Sequence, residues 1–241
     1  MSNPALSVPA RQRPRWGFGD AAWSVAGGIV AAAILGNVFA VARHGSRLTT
    51  DDLDGIDTLV GGMIQFSVMA GLIWLTVGRR GYGLRYEIGL DLKLRDAYWA
   101  FIGMGASIGL GILSIPITLL WDRGNHARQA IGDEVKASTN LTKIALVIMV
   151  VVVAPVVEEA IFRGVVLRAA LRRMSAAPAV IVSGAAFSML HLLDPSTFPG
   201  LPTLFGFGML SAVIALRSGS LSRSIFLHAG FNSLAVVVLL S

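Results

Sequence analysis

Apolar residues fill this 241-residue chain in seven long blocks, each ended by glycine, proline or charge. They lie near Ala21–Ala42, Ile56–Val77, Ala97–Trp121, Leu141–Leu171, Ala176–Leu193, Leu201–Leu216 and Ile225–Leu240. A bilayer-spanning helix needs about 20 apolar residues, so the last two blocks are short and the fourth is long. The pattern predicts an all-α fold, a polytopic transmembrane helical bundle of about seven spans. Between the second and third blocks, Leu84, Tyr86, Ile88, Leu90, Leu92 and Leu94 alternate with mostly polar residues. That period of two predicts a short strand or an extended segment on the membrane surface. Residues 122–140 read as a polar loop and Met1–Pro14 as a disordered tail.

Composition sharpens this picture. Hydrophobic residues make up 54% of the chain and charged residues only 14%, against roughly 25% charged in soluble domains. The net charge of +6 comes from basic residues at the ends of apolar blocks, with no extended basic face, so nucleic acid is not an expected partner. Thirteen Lys and Arg fall on one side of a seven-span topology and six on the other. This bias places the N-terminus inside. The first block and Ala40-Val41-Ala42 resemble a signal peptide, but about 22 apolar residues exceed the 7–15 of a signal core, and an uncleaved anchor is expected. The Ala/Gly/Arg-rich composition points to a bacterial cytoplasmic membrane. No cysteine is present, which excludes disulfides and thiolate chemistry.

Within the fourth block stand Glu158, Glu159 and Arg163. A charge near the centre of a spanning helix costs about 2.5–3.5 kcal/mol on insertion scales, so three in six residues call for a function. On a helix Glu159 lies four residues before Arg163 and can form an ion pair that eases the burial of both. Glu158 is left without a local partner, the condition of a candidate general base. Pro155, three residues earlier, should kink or interrupt the helix beside them. Two of the four histidines, His44 and His126, lie in polar stretches and read as solvated. The others, His191 and His228, lie in apolar blocks, and Asn232 shares a helix face with His228. From a turn near Ser175, Glu158 and His191 are 17 and 16 residues away, so they should lie level on an antiparallel hairpin, each about 25 Å from it. Gly105-xxx-Gly109 and Gly206-Phe-Gly208 read as close helix-packing contacts. Ser183 and Ser188 have no Asp or Lys partner in an obvious place, and no P-loop, HExxH or Gly-x-Ser-x-Gly pattern occurs.

These residues stand in three motifs: Glu158-Glu159-Ala-Ile-Phe-Arg163, Phe187-Ser-Met-Leu-His191 and His228-Ala-Gly-Phe-Asn232. In type and order they resemble the CPBP group of intramembrane proteases, which includes CAAX prenyl endopeptidases of the Rce1 type and bacterial Abi proteins. The similarity covers about residues 141–240. Charge and hydropathy divide the rest into a cytoplasmic tail over 1–20 and N-terminal spans over 21–140, and the resemblance implies a catalytic helical core over 141–241. It also implies that Glu158 with His191 activates a water, that His228 and Asn232 stabilise the oxyanion, and that Glu159 with Arg163 orients the site. Glu158, His191 and His228 could instead hold zinc with an open water position. With no i, i+4 histidine pair, and with a metal-free water explaining the same residues, no cofactor is expected.

Expected partners are membrane lipid and a peptide or lipidated-protein substrate. The main alternative is a non-catalytic interaction protein, an immunity or scaffold factor, in which the charge cluster only locks helices. A proton-coupled transporter would also use intramembrane Glu and His. The absence of an inverted repeat counts against it.

Overall fold

The computed structural model describes residues 16–46, 53–79, 81–121, 138–193 and 195–240. The tail at Met1–Pro14, most of the loop at 122–140, and His126 lie outside the described residues. Helices form where the apolar blocks predict them at α1 (Phe18–His44), α2 (Gly55–Ile73, continuing as a π turn over Trp74–Gly78) and α4 (Trp99–Trp121), with a short α3 (Leu84–Ile88) that no block predicts between the last two. The second half holds α5 (Asn140–Leu171), α6 (Ala176–Leu190), α7 (Leu201–Ser218) and α8 (Ser222–Leu240). Six of these stretches are long and apolar enough to cross a membrane, and α8 occupies the seventh predicted block. The protein is an all-α integral membrane bundle.

Outward faces agree with that reading. Val30, Ile34 and Val38 on α1 and Phe101, Ile112 and Leu113 on α4 are exposed. Apolar surface this extensive suits hydrocarbon, not water. At the α1–α2 corner Asp54 caps α2, accepting from the Ile56 and Asp57 amides. Hydrogen bonds from Arg43 hold the Asp54 carboxyl well below the usual carboxylate range. His44, expected to be solvated, lies 2.9 Å from Asp57 as part of this charged corner.

Leu84–Leu94, expected as a short strand or an extended segment, forms no strand and is extended only in part. Leu84–Ile88 is one helical turn, ended by Gly89 in the left-handed region at φ 73°, a conformation that a side chain disfavours. An extended stretch and a 3-10 turn at Leu94–Asp96 follow. The alternating apolar positions do not share one face: Ile88 is fully buried, whereas Leu94, in the same alternating set, is 88% exposed. Backbone contacts pin the segment to the α7–α8 turn, with the Leu221 amide donating to the Gly89 carbonyl at 2.9 Å. Arg168 of α5 donates to the Glu87 carbonyl. From the other side, Trp16 donates to the Glu87 carboxylate at 2.8 Å, and Arg172 stacks on the Trp16 ring. The segment therefore ties α1, α5 and the α7–α8 turn together at one end of the bundle.

Close backbone approaches fix the helices around α5. A Cβ on Gly230 of α8 would stand 2.7 Å from Ala100 Cα, and one on Gly103 of α4 would stand 2.9 Å from the Phe231 nitrogen. Small residues allow such approach in membranes, where dispersion and not water drives packing. Gly206 and Gly208 are packing contacts as expected, against Leu110 and the Gly184 backbone. Gly105 and Gly109 are not, because a Cβ on either meets no neighbour within 4 Å. Helix α4 turns its Gly103 face inward and leaves those two outside.

Candidate active site

Helix α5 supplies the carboxylates and departs from α geometry on both sides of them. Met149–Val153 and Ala160–Val166 are π-helical and enclose Ala154–Glu159. The sequence predicted an interruption at Pro155, and it takes the form of a change of register. In the π turn the Ala154 amide reaches the Met149 carbonyl. The next donor in that register, for Val150, would be Pro155, which has no N–H. Asn232 of α8 fills the vacancy, its Nδ2 donating to the Val150 carbonyl at 2.8 Å. Such π turns recur at functional sites, where they re-aim the side chains that follow.

The two adjacent glutamates occupy different environments. Glu159 is completely buried, with Arg163 Nη1 3.2 Å from its Oε1, the i, i+4 pair expected from spacing. His228 Nδ1 donates to the same oxygen at 3.0 Å, and Ser211 Oγ donates to Oε2 at 2.7 Å. Every oxygen of Glu159 is thus engaged. Arg163 also donates from Nη2 to the Gly208 carbonyl at 3.2 Å, and its guanidinium lies 4.6 Å from the centre of the Phe187 ring. Neither its Nε nor its Nη1 has a hydrogen-bond partner among the described residues, so the Nη1–Glu159 contact is an ion pair only. Cation–π attraction to Phe187 compensates in part for the water this buried cation has lost.

The ion-pair contact of Glu158 among the described residues is with His228, whose Nε2 lies 3.7 Å from its Oε2. The Glu158 side chain keeps 14% of its surface exposed, while that of His228 keeps 2%. A carboxylate only accepts, so the Nδ1 contact with Glu159 fixes the proton on Nδ1 and turns Nε2 toward Glu158. His228 therefore bridges the two carboxylates.

His191 stands at the end of α6, where the chain passes into a 3-10 turn ahead of Pro195. Its Nδ1 lies 2.9 Å from the Phe187 carbonyl. Donation there leaves Nε2 free as an acceptor. The Phe187 ring lies between the histidines, 4.9 Å from the His191 ring and 5.5 Å from that of His228. It also meets Phe162, one turn after Glu158, at 5.3 Å. This contact matches the levels predicted for the α5–α6 hairpin, whose turn indeed falls at Ser175.

The fold thus brings Glu158, Glu159, Arg163 and His228 into direct contact, and joins His191 to them through Phe187. Asn232, one turn from His228, reaches α5 on the other side of Pro155. Ser183 and Ser188 serve the backbone, donating to the Phe162 and Leu201 carbonyls. Ser211 went unread, and Gly208 was read only as a packing contact, because nothing in their apolar block marks a link to the charged pair apart from the close Gly-x-x-Ser spacing. Among the described residues no group of three His, Asp or Glu side chains is placed to hold a metal ion.

Fold and site together define a polytopic membrane protein with an ionisable cluster built by its last four long helices. Residues 140–234 match the sequence model of a family described as type II CAAX prenyl endopeptidase Rce1-like. The segment that builds the cluster belongs to the CPBP/CAAX-protease family that its three motifs resemble. No curated protein and no solved structure matches the chain.

Proposed function

We propose that this protein is an intramembrane endopeptidase. It hydrolyses a peptide bond of a membrane-associated or lipidated peptide or protein, with Glu158 and His191 activating a water. The observation that carries the reading is the division of labour between adjacent carboxylates. Glu159 is saturated by Arg163, His228 and Ser211, whereas Glu158 keeps an accessible oxygen beside an imidazole. A site built only to lock helices would have no use for the second carboxylate, whose burial has a cost and whose contact with His228 is long at 3.7 Å.

In this reading Glu158 takes a proton from water as the resulting hydroxide attacks the peptide carbonyl, with His191 Nε2 accepting from the same water. The new C–O bond places negative charge on the carbonyl oxygen. The second Nδ2 hydrogen of Asn232 is the donor that stabilises it, an electrostatic role best played by a group fixed in advance; His228, whose proton sits on Nδ1 against Glu159, has none to give from Nε2. Collapse of the intermediate breaks the C–N bond, and the proton held by Glu158 passes to the leaving amine. The Glu159–Arg163 pair holds His228 throughout. The orientation read from the basic residues, N-terminus inside a bacterial cytoplasmic membrane, is part of the same proposal.

The test is hydrolysis of a fluorogenic panel of peptides and prenyl-peptides by purified wild type and His191→Ala. Cleavage by wild type that falls by about 10²–10⁴-fold in the variant supports the reading. Equal cleavage by both removes His191 from the chemistry, and chelator treatment of the same samples tests for a metal. The interaction-protein reading rests on the same buried ion pair and expects neither sample to cleave.

A further inference from the structure

Helix α7 contributes none of the three motifs, yet it supplies two of the contacts that hold the charge cluster. Gly208 and Ser211, three residues apart, lie on one face of α7. The Gly208 carbonyl accepts from Arg163 at 3.2 Å, and the Ser211 hydroxyl donates to Glu159 at 2.7 Å. Both helices give up side chains to permit this. A Cβ on Gly208 would stand 2.9 Å from Gly184 Cα, and one on Gly184 would stand 3.0 Å from the Met209 nitrogen. The α6–α7 backbone contact thus presses the Ser211 face onto α5. Ser211 is itself fully buried.

Ser211 is also the only donor to Glu159 Oε2 among the described residues. Without it the Glu159 carboxylate can rotate, since Arg163 and His228 both address Oε1. Rotation changes the acceptor that fixes the His228 tautomer, and with it which ring nitrogen faces Glu158.

We propose that Ser211 is a positioning residue: by anchoring the second oxygen of Glu159 it locks His228 as the Nδ1–H tautomer with Nε2 toward Glu158. The effect on catalysis rests on the endopeptidase reading; the effect on the tautomer does not.

The experiment is nitrogen-15 NMR of histidine-labelled full-length protein in detergent, with the His228 signals identified by their loss in His228→Gln. Wild type should show one tautomer for His228, with Nδ1 protonated. Ser211→Ala should show a mixture of tautomers, and Ser211→Thr, which keeps the hydroxyl, should restore one. Ser183→Ala removes an equally buried hydroxyl, which donates to the Phe162 carbonyl and not to the charge cluster. It should lower stability without changing the tautomer. If Ser211→Ala does not fold, Ser211→Cys, a weak donor of similar size, takes its place. On a cleaved peptide Ser211→Ala should lower kcat by about 10–100-fold, the range for a lost hydrogen bond to a charged group, with KM little changed. An unchanged His228 spectrum in the folded variant overturns the proposal. Failure of wild type to cleave any peptide would count against the endopeptidase reading alone, because the tautomer still decides the role of Ser211.

Discussion

His228 donates from Nδ1 to Glu159 at 3.0 Å, and this one contact decides which of two neighbouring glutamates is free. The carboxylate that holds the imidazole is sealed in the core, and the other faces the remaining ring nitrogen at 3.7 Å. Glu159 and Glu158 adjoin in sequence but differ in what they can do. The first is an anchor and the second is a candidate base.

The anchor should be a matter of stability. Glu159→Gln leaves the Arg163 cation buried without its carboxylate, and breaking a buried ion pair by removing one partner costs about 3–5 kcal/mol. Arg163→Met should be milder than Arg163→Ala, since it fills the space over Phe187. Thermal unfolding in detergent should show both Glu159→Gln and Arg163→Ala well below wild type. Wild-type midpoints for both would mean that the ion pair does not hold the helices.

The link between Asn232 and the π turn predicts a coupled pair. Asn232→Ala leaves the Val150 carbonyl unsatisfied, at a cost of about 1–3 kcal/mol. Pro155→Ala returns an amide in the register that can reach Val150, so it should rescue much of that loss. A double-mutant cycle on unfolding midpoints measures the coupling. Strictly additive effects would show that Pro155 does not create the vacancy that Asn232 fills.

Two glycines two residues apart should behave oppositely. Gly103→Val drives a side chain into the backbone of α8 beside His228, and overpacking of this kind costs about 1–3 kcal/mol or more. A Cβ on Gly105 meets no neighbour within 4 Å, and Gly105→Val should be tolerated. Folded yield after extraction distinguishes them, and equal sensitivity of the two would contradict the packing of α4 on α8.

How much of this was legible in the sequence depends on the range of each interaction. The blocks that become α1, α2 and α4 to α8, the Glu159–Arg163 pair and the isolation of Glu158 follow from residue type and helical spacing, which are local. The level of Glu158 with the end of α6 followed from counting back from Ser175. What spacing cannot supply is the rotation of one helix against another. That rotation decides that His228 holds Glu159, that Ser211 joins it, and that α4 packs through Gly103 and not through Gly105. The alternating leucines at Leu84–Leu94 misled for a related reason. Their inward and outward positions come from a helical turn, an extended stretch and a 3-10 turn laid against the bundle, and no repeating pleat is involved.

The most direct test of the central claim compares Glu158→Gln with wild type on a peptide that wild type cleaves, with thermal unfolding measured on the same samples. Glutamine keeps the shape of Glu158 and cannot act as a base. The account predicts wild-type folding and a loss of cleavage of about 10²–10⁴-fold, the contribution of a general base. A folded Glu158→Gln protein that cleaves at the wild-type rate would contradict it.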